Sequence, residues 1–213
     1  MIVMLFAVYS IFVIMMLLSI KKKSYIIFKT LNSLAFIAVA VYCGMTSDRV
    51  SMMVGLLPGL IGCLAGDFML ATQYKKSFLY GLTCFLIANL CFVIYFINFQ
   101  SLSIIEFILP VASIMIVIAL SYLPRMDYGV YDKAILAYAF MITLAMVRSV
   151  VVYLTLSTPM FLFSMVGFIL YFLSDIILLF EKFFECRLKD ILTVFNLITY
   201  FYGLFFIALS LVK

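Results

Sequence analysis

The sequence predicts an all-α polytopic membrane protein, a bundle of eight transmembrane helices with both termini on the non-cytoplasmic side. Three observations predict it. Of 213 residues, 69% are hydrophobic and 11% charged, with a mean hydropathy of +1.34, a balance foreign to water-soluble domains. Nearly every window between short charged clusters stays apolar for about 18 residues or more, the length of a helical span, without the polar–apolar alternation of a β-barrel. Basic residues crowd into every second loop.

The spans fall at approximately 2–20, 25–45, 52–72, 77–98, 103–122, 132–155, 160–181 and 190–212. The first remains as a span rather than a signal peptide, because Lys21, Lys22 and Lys23 follow the apolar stretch and no small-residue cleavage site is present. The second carries Lys29, Asn32 and Ser33 on one helical face, which is expected to point into the bundle. The third carries Gly55, Gly59, Gly62 and Gly66, a small-residue seam for close helix packing, and then Asp67. Pro58 and Gly59 offer a point where this span breaks.

Asn89 lies near the middle of the fourth span. Glu106 and Arg148 lie toward the outer ends of the fifth and sixth, where they are placed to pair. Tyr138 sits in the sixth at the level of the aspartates. In the seventh, Ser164, Gly167, Tyr171 and Ser174 form a small or polar stripe suited to lining a cavity, beside Asp175. Asn196, Tyr200 and Gly203 form a similar face in the eighth. Short loops make sequential helices antiparallel neighbours and leave no room for a soluble domain, so residues 1–213 read as one transmembrane domain.

Loop charge sets the orientation. Loops one, three, five and seven hold Lys21, Lys22, Lys23, Lys75, Lys76, Arg125, Lys133, Lys182, Arg187 and Lys189, while the others hold Arg49 alone. Basic loops stay in the cytoplasm. With that orientation, Lys29, Asp67 and Asp175 all lie roughly 6–9 Å below the cytoplasmic boundary at about 1.5 Å rise per residue. Ionisable groups inside spans mark functional sites by default. Alternatives stay open: Lys29 snorkels to the interface, or pairs with Asp67 as a structural ion pair. Glu181, Glu185 and Asp190 read as a solvated loop.

Two carboxylates sharing a low-dielectric site do not both ionise readily, so such a pair holds an acid and a base together. That chemistry suits hydrolysis of an acid-labile bond in a membrane-dissolved substrate. Other classes lack their residues. Histidine is absent and no GxSxG occurs, against serine acyl hydrolysis. Cys43, Cys63, Cys84, Cys91 and Cys186 form no CxxC pair, so neither a disulfide framework nor a zinc site is expected. No Walker loop or GxGxxG is present, and no cofactor or metal is expected. The net charge of +5 reflects loop topology rather than nucleic-acid binding. The expected partner is a membrane lipid substrate.

The sequence resembles the YhhN-like integral membrane proteins, whose characterised animal members are lysoplasmalogenases. The resemblance covers nearly the whole chain. It rests on FKTLNSL around Lys29, GLIGCLAGDFML ending in the Gly66-Asp67 segment, and GFILYFLSDIILL around Ser174-Asp175. Departures from the family pattern are Thr30 after the lysine in place of proline, Asn89 in place of a common histidine, and Tyr200 or Tyr202 in place of a glutamine.

The resemblance implies hydrolysis of the vinyl ether bond of lysoplasmalogen to a fatty aldehyde and a glycerophospho-head group. One aspartate then acts as acid and the other as base; we take Asp175 as acid and Asp67 as base, an assignment that the sequence does not fix. Lys29 then serves the phosphate, and Asn32, Tyr138, Tyr171, Ser174, Asn196 and Tyr200 the substrate. The rival readings are a transporter or channel using the aspartates as a proton or cation relay, an intramembrane aspartyl protease and a lipid-sensing scaffold. The protease reading is disfavoured because Leu64-Ala65-Gly66-Asp67 lacks the first glycine of GxGD, Ser174 replaces the tyrosine of its partner motif, and no Pro-Ala-Leu occurs. The compact chain suggests a bacterial cytoplasmic membrane.

Overall fold

The computed structural model describes residues 1–72, 76–185 and 187–213. Lys75 and Cys186, which enter the charge and cysteine readings above, lie outside the described residues. The protein is all-helical: α1 Ile2–Leu17, α2 Tyr25–Thr46, α3 Val50–Ala71, α4 Ser77–Ile97, α5 Ile108–Ser121, α6 Asp132–Leu156, α7 Pro159–Phe183 and α8 Lys189–Leu209. Short 3-10 turns at Ile104–Phe107 and Gly129–Tyr131 lead into α5 and α6. No strand occurs among the described residues, only a single bridge between Met126 and Phe184.

Among the described residues, seven of the eight helices, counting the turn before α5, are long and apolar enough to cross a membrane. The exception is α1, whose 16 residues rise about 24 Å against a hydrocarbon core of about 30 Å. It stops at Leu17 because the chain tightens there: Ser19 Oγ donates to the Met16 carbonyl, and the Lys22 amide donates back to Ser19 as the basic cluster begins.

Helix ends follow local chemistry. The turn between α6 and α7 uses Ser157 in the left-handed region (φ 49°), extended Thr158, and Pro159 at the first position of α7, where its missing N–H has no consequence. Pro58 does not break α3, which runs unbroken from Val50 to Ala71. Packing against α4 holds it: a Cβ added at Gly59 would collide with the Phe92 ring, and one at Gly62 would stand 2.8 Å from the Ala88 Cβ. The four glycines from Gly55 to Gly66 thus all face α4 side chains.

Helices α2, α3, α4, α6, α7 and α8 close into a ring by pairwise packing, with α1 outside on α2 and α8, and α5 outside on α6. Sequential helices are neighbours except at one step, where α4 packs on α6 rather than on α5. The reason is Arg148 of α6, which donates from Nη2 to the Phe96 and Gln100 carbonyls at the end of α4. Both termini lie at one end of the ring. Arg49 Nη1 donates to the Val212 carbonyl at 2.8 Å, and α1 runs antiparallel to α8, with Tyr9 OH on the Phe201 carbonyl. The opposite end carries the basic loops, tied by a Lys21–Asp190 ion pair of 2.7 Å.

Candidate functional site

Polar side chains converge inside the ring near the end with the basic loops. From α2 come Lys29 and, one turn on, Ser33. Ser33 Oγ donates to Asp67 Oδ2 at 2.7 Å, and Lys29 Nζ stands 3.4 Å from Asp67 Oδ1. From α8, Tyr200 OH donates to the same Oδ2 at 2.8 Å. Asp67 is 1% exposed and therefore sits in a fixed set of three partners from two other helices. Every contact it makes is with a donor, the environment an ionised carboxylate requires once removed from water.

Tyr200 reaches α3 because α7 and α8 approach closely beside it. A Cβ at Gly203 would lie 2.9 Å from the Gly167 carbonyl oxygen. This changes the reading of the two small-residue stripes. Gly167 and Gly203 form a helix seam rather than a cavity wall, and Ser164 is buried with it. The spacing of small residues is the same for both purposes, so sequence periodicity does not separate them.

Asp175 is held differently. It is partly exposed, and its one hydrogen bond among the described residues comes from Tyr138 OH of α6, 2.6 Å from Oδ2. Behind it lies a phenol chain. Tyr138 OH is 3.4 Å from Tyr171 OH, which also receives Asn89 Nδ2 at 3.5 Å and Cys63 Sγ at 3.9 Å. If Cys63 and Asn89 donate to Tyr171, the Tyr171 proton is left to point at Tyr138, whose own proton goes to Asp175. The Tyr171 and Tyr200 rings meet edge to face at 5.6 Å, so the surroundings of the two aspartates are in direct contact.

Both aspartates line one cavity of about 180 Å³, with Lys29, Tyr25, Asn196 and Tyr200. The common depth expected for Lys29, Asp67 and Asp175 corresponds to a common cavity. Three other expected substrate contacts stand behind its wall. Asn32 is fully buried and donates to the Phe12 and Phe28 carbonyls. Ser174 donates to the Tyr171 carbonyl, and Tyr171 is fully buried. Asn196 lines the cavity and also donates to the Ser174 carbonyl at 2.6 Å, tying α8 to the turn that carries Asp175.

Sequence reasoning placed Glu181 in a solvated loop and gave Lys182 no site role, whereas both lie in the last turn of α7, line the cavity at its outer end and pair at 3.0 Å. The charged loop that follows α7 concealed them. Sequence reasoning also assigned no role to Cys63, whose position one turn before Asp67 was the available signal. Among the described residues no cluster of His, Cys, Asp or Glu is arranged to hold a metal ion. Asp175 has a second exposure, to an apolar cavity of about 320 Å³ between α5, α6 and α7 that Tyr138 also lines.

The sequence matches the profile of the YhhN family over residues 24–211, and the protein belongs to that family. The matched region begins just before α2 and leaves out α1. No curated protein and no solved structure matches the chain.

Proposed function

We propose that this YhhN-family protein is a membrane-embedded hydrolase that cleaves the vinyl ether bond of lysoplasmalogen-like lysophospholipids, releasing a fatty aldehyde and the glycerophospho-head group. The observation that carries the reading is the unequal support of two carboxylates on one cavity wall. Among the described residues Asp67 has a cation and two hydroxyl donors, whereas Asp175 has one phenol donor and no cation. Such a pair is suited to hold a base and an acid side by side.

In this mechanism Asp175, protonated on the oxygen that Tyr138 does not hold, delivers its proton to the vinyl carbon remote from the ether oxygen. An oxocarbenium ion forms at the other carbon. Asp67 stabilises that cation and takes a proton from the water that attacks it, giving a hemiacetal. Collapse breaks the bond to the glyceryl oxygen, which takes the proton from Asp67, and the hemiacetal hydroxyl proton returns to Asp175. Atoms and protons balance over the cycle. Lys29 has three N–H donors and a single partner among the described residues, which supports its reaching a phosphate oxygen in the same cavity. The basic loops then face the cytoplasm of a bacterial cell, and the cavity opens at the level of cytoplasmic-leaflet headgroups.

The test is aldehyde release from lysoplasmenyl-ethanolamine and lysoplasmenyl-choline by purified protein. Aldehyde formation by the wild type, lost in folded Asp67→Asn and Asp175→Asn, is the expected result. Absence of aldehyde with both lipids across a range of pH contradicts it, and movement of a chemically intact solute across proteoliposomes would instead establish transport.

A further inference from the structure

The apolar cavity beside Asp175 lies outside the acid–base chemistry just described. Its walls are Val117 and Leu120 of α5, Ile135 and Ile142 of α6, and Phe172 and Ile176 of α7. The two hydroxyls on the wall are turned to backbone: Ser113 Oγ donates to the Pro110 carbonyl at 2.7 Å and Thr143 Oγ1 to Ala139 at 2.7 Å. The groups that give the cavity a polar end are Asp175 and Tyr138, already bonded to each other. Asp175 therefore stands where a polar and an apolar cavity meet.

The position of α5 gives this cavity a way in. Helix α5 packs on α6 and hardly touches α7, although both line the cavity. Its outer surface, with Ile108, Leu109, Val111 and Met115, is exposed as a lipid-facing helix is. With α5 and α7 as membrane spans, the space between them would open toward hydrocarbon.

We infer that the α5–α6–α7 cavity is the subsite for the alkyl chain of a single-chain amphiphile, which slides in sideways from the bilayer between α5 and α7. This rests on the proposed function for the identity of the bond being cut, and on the two cavities for the binding mode. A lipid's polar and apolar parts meet one bond from the vinyl ether. With the head in the polar cavity and the chain in the apolar one, that junction falls at Asp175. Sideways access keeps the chain in apolar surroundings throughout, so its methylenes are never passed through water.

Binding is testable without turnover. The sequence contains no tryptophan, so Leu120→Trp places a single tryptophan, excited selectively over the tyrosines, in the cavity wall, and Leu154→Trp places one on an exposed position of α6. The probe is a lysophosphatidylethanolamine with a brominated acyl chain, which has no vinyl ether to cleave. In nanodiscs the Leu120→Trp signal is expected to quench saturably and to recover on adding unbrominated lysolipid. The Leu154→Trp signal should fall in proportion to the bromolipid fraction. Adding Ala139→Phe, or Ile176→Phe should the first not fold, fills the cavity and removes the saturable component.

In turnover, the same filling variants should slow a long-chain lysoplasmenyl substrate about tenfold while leaving a short-chain one within about twofold. Non-saturable quenching at Leu120→Trp, or saturable quenching that a folded filling variant leaves intact, overturns the subsite. If the wild type releases no aldehyde, the proposed reaction falls and the quenching result alone decides the subsite.

Discussion

The protein buries charge at both ends of its helical ring, and the two clusters are built to opposite plans. At the end near the termini, Arg148 is fully buried. Its Nη1 donates to both Glu106 oxygens at 2.9 Å, and its Nη2 to the carbonyls of Phe96 and Gln100. Glu106 also accepts the Ser103 amide at 2.9 Å. Both Arg148 Nη groups are spent on Glu106 and on carbonyls at the end of α4, while its buried Nε finds no partner among the described residues and faces neither cavity. At the other end, Asp67 is equally buried, but its neighbour Asp175 has one oxygen without a partner among the described residues and faces two cavities. A closed network fixes helices, whereas an open one leaves groups available to a ligand. Burial of charge alone does not distinguish these roles; unspent hydrogen-bonding capacity facing a cavity does.

The largest expected effect lies in the open cluster. Asp175→Asn should lower aldehyde release by about 10²–10⁴-fold, the usual weight of a general acid, with little change in thermal stability. Asp67→Asn should lose activity similarly and also melt earlier, because Lys29 is left buried without its counter-charge. Equal melting of the two variants would remove the distinction drawn between the two carboxylates.

Next comes the closed cluster. Arg148→Met should destabilise the protein by about 3–5 kcal/mol in detergent unfolding, because Glu106 stays behind as an uncompensated buried charge. Activity per folded molecule should be unchanged. The double variant Glu106→Leu/Arg148→Met should recover part of the loss. Failure to recover, or lost turnover in the folded fraction, would place this cluster among the functional groups.

Smaller effects sharpen the open site. Tyr138→Phe removes the Tyr138 hydrogen bond to Asp175 and should lower kcat about tenfold, the scale of a bond to a carboxyl group, with KM nearly constant. Lys29→Met should act mainly on KM, by about tenfold, for substrates carrying a phosphate. Equal effects on KM and kcat in both variants would mean that neither separates binding from chemistry.

Much of this arrangement is legible in the sequence. Loop charges and span lengths put Lys29, Asp67 and Asp175 at one depth, and these three line one cavity. The outer pair of Glu106 and Arg148 also follows from position. What periodicity cannot give is the last step, from a helical face to its neighbour. Asn32, Tyr171 and Ser174 share the faces of Lys29 and Asp175, yet each points at backbone or at another helix rather than into the cavity. Gly167 and Gly203 have the spacing of a cavity stripe and the geometry of a seam. The outlying position of α5 leaves no trace, since a helix apolar on every side carries no rotational signal. The shortness of α1 is set by the turn at Ser19, which composition does not register.

The central claim is that Asp175 protonates carbon in a vinyl ether while Asp67 activates water, and its most direct test is hydrolysis of a lysoplasmenyl lipid in heavy water. The account predicts a fatty aldehyde carrying one solvent deuterium on the carbon next to the carbonyl, formed by the wild type and lost in Asp175→Asn. Aldehyde without that deuterium, or undiminished formation by folded Asp175→Asn, would contradict it.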